Sequence, residues 1–287
     1  MEETGFGILA TSRAESTAAT LGLAILSSCF LLMVYRPRRT ELEGTPHRVP
    51  LIALFLAVGW VMLAAGAHFL VDPSQPPRTL SVSDIWMDCA QSVVVLVILA
   101  SAYLIPRSIG SIQSTLTPVP SEDAVEDVTA PEPVPQSKFL PEDWGHHLSV
   151  GLTVGLAAML PTLLLGYWIA RDRDPSESHI LLRTLQGKGW DFLAPIVLTA
   201  AVLAPLLEEL LFRVILQGWL SDSVQKSAIP LTAGIFALIH GASDAALLVP
   251  LALSLGFLYE YRRSYLEVVA AHAAFNGANL FAAINAV

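Results

Sequence analysis

Blocks of apolar residues near 20 long recur along this 287-residue chain, and they constrain the fold more than any other feature. About 20 helical residues cross the roughly 30 Å of hydrocarbon in a bilayer. A water-soluble helix of that length carries polar residues at 3.6-residue spacing along one face, and these blocks mostly lack them. Charged residues make up 14% of the chain, where a soluble domain carries about 25%. Mean hydropathy is +0.59. The expected fold class is all-α, a polytopic transmembrane helix bundle of about eight spans, with the lipid bilayer as its surroundings.

The blocks fall at about 16–35, 49–71, 85–105, 147–170, 190–216, 228–239, 245–259 and 265–283. Glu2 and Glu3 precede the first, and Arg36, Arg38 and Arg39 follow it. A cleaved signal peptide has the reverse order, so this block reads as a retained anchor with its N-terminus outside. Arg107, Lys226, Arg262 and Arg263 then fall on the cytoplasmic side, while Arg171, Arg173, Arg183 and Lys188 fall outside, against the positive-inside rule. A bacterial cytoplasmic membrane is the expected location. Between Ser108 and Gly145 lies a Pro-rich acidic stretch with seven acids against Lys138, carrying −6 of the chain's −9. It reads as a flexible linker and divides the chain into a three-span region (1–107), the linker (108–145) and a second membrane domain (146–287). No basic patch exists for a nucleic-acid partner.

Smaller features have structural readings. Cys29 and Cys89 sit in separate apolar blocks and read as packing residues. Gly151 and Gly155 form a small-xxx-small pair suited to close helix approach. Asp84 and Asp88 read as interfacial acids, and Ser243 and Asp244 as caps of the seventh helix. Trp144, Trp168 and Trp190 lie near block ends, where an aromatic belt belongs.

The chemistry concentrates in three places. Glu208, Glu209 and Arg213 interrupt an otherwise apolar span, although each such charge costs about 2.5–3.5 kcal/mol at the bilayer centre on insertion scales. Glu209 and Arg213 are i and i+4 with the acid first, the favourable order for an ion pair. Glu208 lies about 100° further round the helix, so it needs a partner on another helix. Phe236 and His240 end the sixth block, and His272 and Asn276 share one face of the last. Intramembrane polar groups face a bundle interior or a wet cavity, so these side chains can converge.

Glu-Glu-x-x-x-Arg, Phe-x-x-x-His and His-x-x-x-Asn, in that order on successive helices, resemble the CAAX-protease and bacteriocin-processing family, which includes the type II CAAX prenyl endopeptidases. Every fixed position is present, as Glu208, Glu209, Arg213, Phe236, His240, His272 and Asn276. The resemblance implies an intramembrane endopeptidase acting on a membrane-associated protein or peptide. In it Glu208 is the general base, His240 holds the water, and His272 and Asn276 donate to the oxyanion. Glu209 with Arg213 orients the motif helix, and Phe236 supports it. Two chemistries stay open. Glu208, His240 and His272 form a His₂Glu set that suits zinc, yet no His-Glu-x-x-His occurs, and a metal-free glutamate–histidine site needs no cofactor. A non-catalytic protein of the same fold, for immunity or anchoring, is the alternative function. A transporter would show matched broken helices in two halves, and no such repeat is present.

Overall fold

The computed structural model describes residues 49–70, 81–116, 143–170 and 188–285. These are helical, with no strand among them, so the all-α expectation holds. The helices are α1 (Leu51–Leu70), α2 (Val82–Leu116), α3 (Trp144–Ala170), α4 (190–224), α5 (Ala228–Ile239), α6 (Ala242–Arg262) and α7 (Tyr265–Asn285). Four stretches among the described residues are long and apolar enough to cross a membrane: Val82–Pro106, Trp144–Trp168, Trp190–Ile239 and Asp244–Arg262. Leu51–Gly66 is shorter, and the block at 16–35 lies outside the described residues, as does Cys29. The described residues therefore do not confirm the count of about eight spans.

The apolar surface is distributed as a bilayer requires. Phe55, Met62, Leu63 and Val97 are exposed on α1 and α2, while small residues such as Ala53 and Ala57 turn inward. Trp144, Trp168 and Trp190 are all exposed at helix ends, where their rings suit the headgroup region.

Three boundaries differ from the sequence reading. Helix α2 continues through Pro106 to Leu116, beyond the end of the third apolar block at about residue 105. Its N-terminus is closed by a reciprocal cap. The Ser81 backbone N–H and hydroxyl donate to Asp84 Oδ2 at 3.0 and 2.7 Å, and the Asp84 N–H donates to Ser81 Oγ at 3.2 Å. Helix α6 starts at Ala242, ahead of Ser243 and Asp244, and Gly241 is its N-cap, with no side-chain capping bond. The chain reverses there at φ 97°, a conformation that glycine adopts without steric cost.

Helix α4 is not uniform. Two π-helical stretches, Thr199–Leu203 and Leu210–Gln217, flank the short α-helical piece Ala204–Glu209 that carries both glutamates. Such segments frequently mark functional sites. Helices α3 and α7 pack against each other without room for side chains at two points. A Cβ on Gly151 would strike the Glu267 carbonyl oxygen, and one on Gly155 would strike the Ala271 backbone. The small-xxx-small pair is thus the contact that holds α7 against α3. Cys89 is a packing residue, as read, with its thiol 2.7 Å from Thr199 Oγ1 in the first π segment.

Candidate active site

Glu208 finds its partners on other helices. Its Oε2 lies 3.8 Å from His240 Nε2, at the end of α5, and 3.8 Å from His272 Nε2 on α7. The Glu208 side chain is 23% exposed and that of His240 33%, while His272 is 3% exposed. One side of this gap is therefore open and the other is sealed.

Glu209 is fully buried and serves two groups. Its Oε2 accepts from Arg213 Nε at 3.2 Å, and its Oε1 lies 2.8 Å from His272 Nδ1. The predicted i, i+4 pair is present, and the link to His272 is an addition the sequence did not suggest. Glu209 thus holds one nitrogen of the imidazole, while Glu208 faces the other at 3.8 Å. His240 is fixed differently, with Nδ1 2.7 Å from the Phe236 carbonyl oxygen. A carbonyl only accepts, so Nδ1 carries a proton, and Nε2 is the ring nitrogen that faces the gap.

Phe236, fully buried, is the aromatic centre of the site. Its ring lies 4.7 Å from His240, 5.6 Å from His272 and 5.2 Å from Phe212, measured between centroids. The Arg213 guanidinium sits 5.6 Å over the same ring. Asn276 is placed differently from the histidines, and its Nδ2 donates to the Ala200 carbonyl at 2.8 Å, in the first π segment. Tyr265, unremarked in the sequence, bonds the Leu206 carbonyl at 2.5 Å and ties the start of α7 to the residues just before the glutamates.

Zinc can be tested against this geometry. The donor types suit it, and each histidine has an acceptor behind Nδ1, as metal-ligating histidines do. The spacing does not close. Tetrahedral donors at about 2.0–2.2 Å from zinc lie roughly 3.4 Å apart, whereas Glu208 stands 3.8 Å from each ring. Among the described residues no group of three His, Cys, Asp or Glu side chains is placed to hold a metal ion.

Acid and imidazole groups from three helices of an apolar bundle thus surround one gap. Residues 190–278 match the family described as Rce1-like, type II CAAX prenyl endopeptidase Rce1-like. All three motifs lie inside that segment, so the family resemblance holds over these residues. No curated protein and no solved structure matches the chain.

A second polar cluster went unread in the sequence. Glu267, fully buried, accepts from Arg262 Nε and Nη2 at 2.6–3.0 Å, and its Oε1 lies 2.6 Å from His147 Nδ1. Ser264 Oγ also approaches that nitrogen, at 3.3 Å. Both contacts fall on one ring nitrogen, so the set is not a relay; it pins the start of α3 to the α6–α7 turn. The rule that exposed the first glutamates, a charge inside an apolar block, would have found Glu267 as well.

Proposed function

We propose that this protein is an intramembrane endopeptidase that hydrolyses a peptide bond of a membrane-associated protein or peptide, in the manner of CAAX processing, with water activated by Glu208. The observation that carries this reading is the shared gap, in which Glu208 Oε2 stands 3.8 Å from an Nε2 of each histidine. A water seated there donates one proton toward Glu208 and is held on its other side by His240 Nε2. Its oxygen attacks the scissile carbonyl carbon as Glu208 takes the first proton. The new C–O bond leaves an oxyanion.

His272 differs from His240 in having a carboxylate at each nitrogen, Glu209 at 2.8 Å and Glu208 at 3.8 Å. A doubly protonated ring is accommodated between them and supplies the N–H that an oxyanion needs. Asn276 commits one amide hydrogen to Ala200, and its second is free to join. Preorganised donors in a water-poor site stabilise an oxyanion strongly. Glu208 then returns its proton to the leaving nitrogen as the C–N bond breaks. A non-catalytic role is disfavoured because all motif positions are intact and the three titratable groups face one gap.

The test is cleavage of membrane-tethered peptides by purified protein, beside Glu208→Gln, with and without chelator. Loss of a general base lowers the rate about 10²–10⁴-fold. That loss in Glu208→Gln, with wild type indifferent to chelator, is the expected result. Unchanged cleavage by Glu208→Gln overturns the assignment, and loss of wild-type activity to chelator moves the site to a metal.

A further inference from the structure

Only one of the three guanidinium nitrogens of Arg213 is engaged by a hydrogen bond, Nε with Glu209. Nη1 and Nη2 are buried and have no hydrogen-bond partner among the described residues. One turn on, Gln217 is also fully buried. Its Nε2 donates to the Gly256 carbonyl at 3.0 Å, and its Oε1 is left without a donor. An orphaned cationic donor and an orphaned acceptor therefore sit on one face of the second π segment, opposite α6.

Both orphans border the same spot. A Cβ on Gly256 would lie 3.7 Å from Arg213 Nη1 and 3.4 Å from Gln217 Oε1, with Ile229 Cγ2 at 2.9 Å on the third side. Any side chain at this position would strike Ile229 and crowd Gln217 Oε1. Buried polar atoms nearly always have a partner, and a water bonded to two or more protein groups is the usual way of supplying one. An anion there would face the Gln217 carbonyl oxygen and the nearby Glu209 carboxylate, and a cation would face Arg213. Water, which both donates and accepts, fits the two orphans together.

We propose that an internal water bridges Arg213 Nη1 and Gln217 Oε1 beside Gly256, and that Gln217 and Gly256 thereby act as positioning residues for the Glu209–His272 pair. The chain of contacts runs from Gly256 through Gln217, the water and Arg213 to Glu209, and so to the imidazole that faces Glu208. The positioning role rests on the proposed protease activity; the water site does not.

Two measurements test it. An experimental structure of the full chain, at a resolution that shows ordered water, is expected to place a water within hydrogen-bond distance of both atoms. Direct contact between Nη1 and Oε1, or an empty spot beside Gly256, overturns the site. In cleavage assays Gln217→Met is expected to lower kcat roughly ten- to a hundredfold, as small displacements of catalytic groups do. KM stays unchanged, because no substrate contact is lost. Gln217→Glu keeps an acceptor toward Nη1 but loses the donor to the Gly256 carbonyl, and its kcat is expected to fall between those of wild type and Gln217→Met. Equal loss in both variants, or a rise in KM alone, overturns the positioning role. A wild type that cuts nothing refutes the protease reading, and the structure still decides the water.

Discussion

At the residue scale the decisive group is Glu209, which holds Arg213 with one oxygen and His272 with the other. Removing one partner of a buried ion pair costs about 3–5 kcal/mol, while replacing both by apolar groups is often neutral. Glu209→Leu is therefore expected to destabilise the protein strongly, because it strands a fully buried guanidinium. Glu209→Leu with Arg213→Met is expected to recover the melting temperature in detergent. It is not expected to recover cleavage, since His272 Nδ1 still lacks its carboxylate. Thermal unfolding and peptide cleavage, measured on both variants, separate the two roles. Recovery of activity in the double variant would mean that Glu209 acts only through Arg213. The sequence made Glu208, Glu209, Arg213 and both histidines legible because charge and imidazole stand out within apolar spans. It did not make the partner of Asn276 legible. The Ala200 carbonyl is reached across two helices, in a π-helical stretch that no residue pattern announces.

At the scale of elements, the histidine of α7 is placed by glycines of α3. Gly155 meets the Ala271 backbone, next to His272, and Gly151 meets the Glu267 carbonyl and the Ala270 side chain. Backbone cannot yield as a side-chain tip can, so a larger residue must push α7 away. Overpacking of this kind costs about 1–3 kcal/mol, and a shift of 1 Å in a catalytic group costs up to about a hundredfold in rate. Gly155→Leu is expected to lower both melting temperature and cleavage, whereas Gly145→Leu, at a position where an added Cβ meets nothing, leaves both nearly unchanged. Equal effects from the two would show that α3 and α7 are not tightly coupled. Helix positions were readable because apolar length is a coarse signal. Helix ends were less so. The third apolar block ends at about residue 105, yet α2 continues through Pro106 to Leu116, since a proline breaks one backbone bond without obliging the chain to leave the helix.

For the molecule as a whole, the question is whether the region before residue 107 is a separate unit. Its described helices share a core with the second half. Ala53, Ala57 and Leu99 belong to the same buried cluster as Leu211, Phe236 and Phe275. Helix α1 also closes one wall of an apolar pocket of about 270 Å³, lined by Ala57, Val58, Val61 and Met62 against Leu211, Leu216 and Ile235. Leu211 and Leu216 lie in the π segment that carries Arg213, so α1 buttresses the motif helix from behind. In a membrane this support comes from packing rather than from exclusion of water, because lipid solvates an exposed apolar face. A fragment of residues 146–287 is therefore expected to insert and to keep its motifs, but to melt lower. At roughly 2–4 °C per kcal/mol for a chain of this size, the loss of a few kcal/mol of packing is a shift of about 10 °C. Supplying residues 1–145 as a separate chain should restore both melting temperature and cleavage rate. A fragment that melts and cuts like the full chain would establish the first region as an independent domain, and the shared core would then carry no weight in holding the glutamates in place.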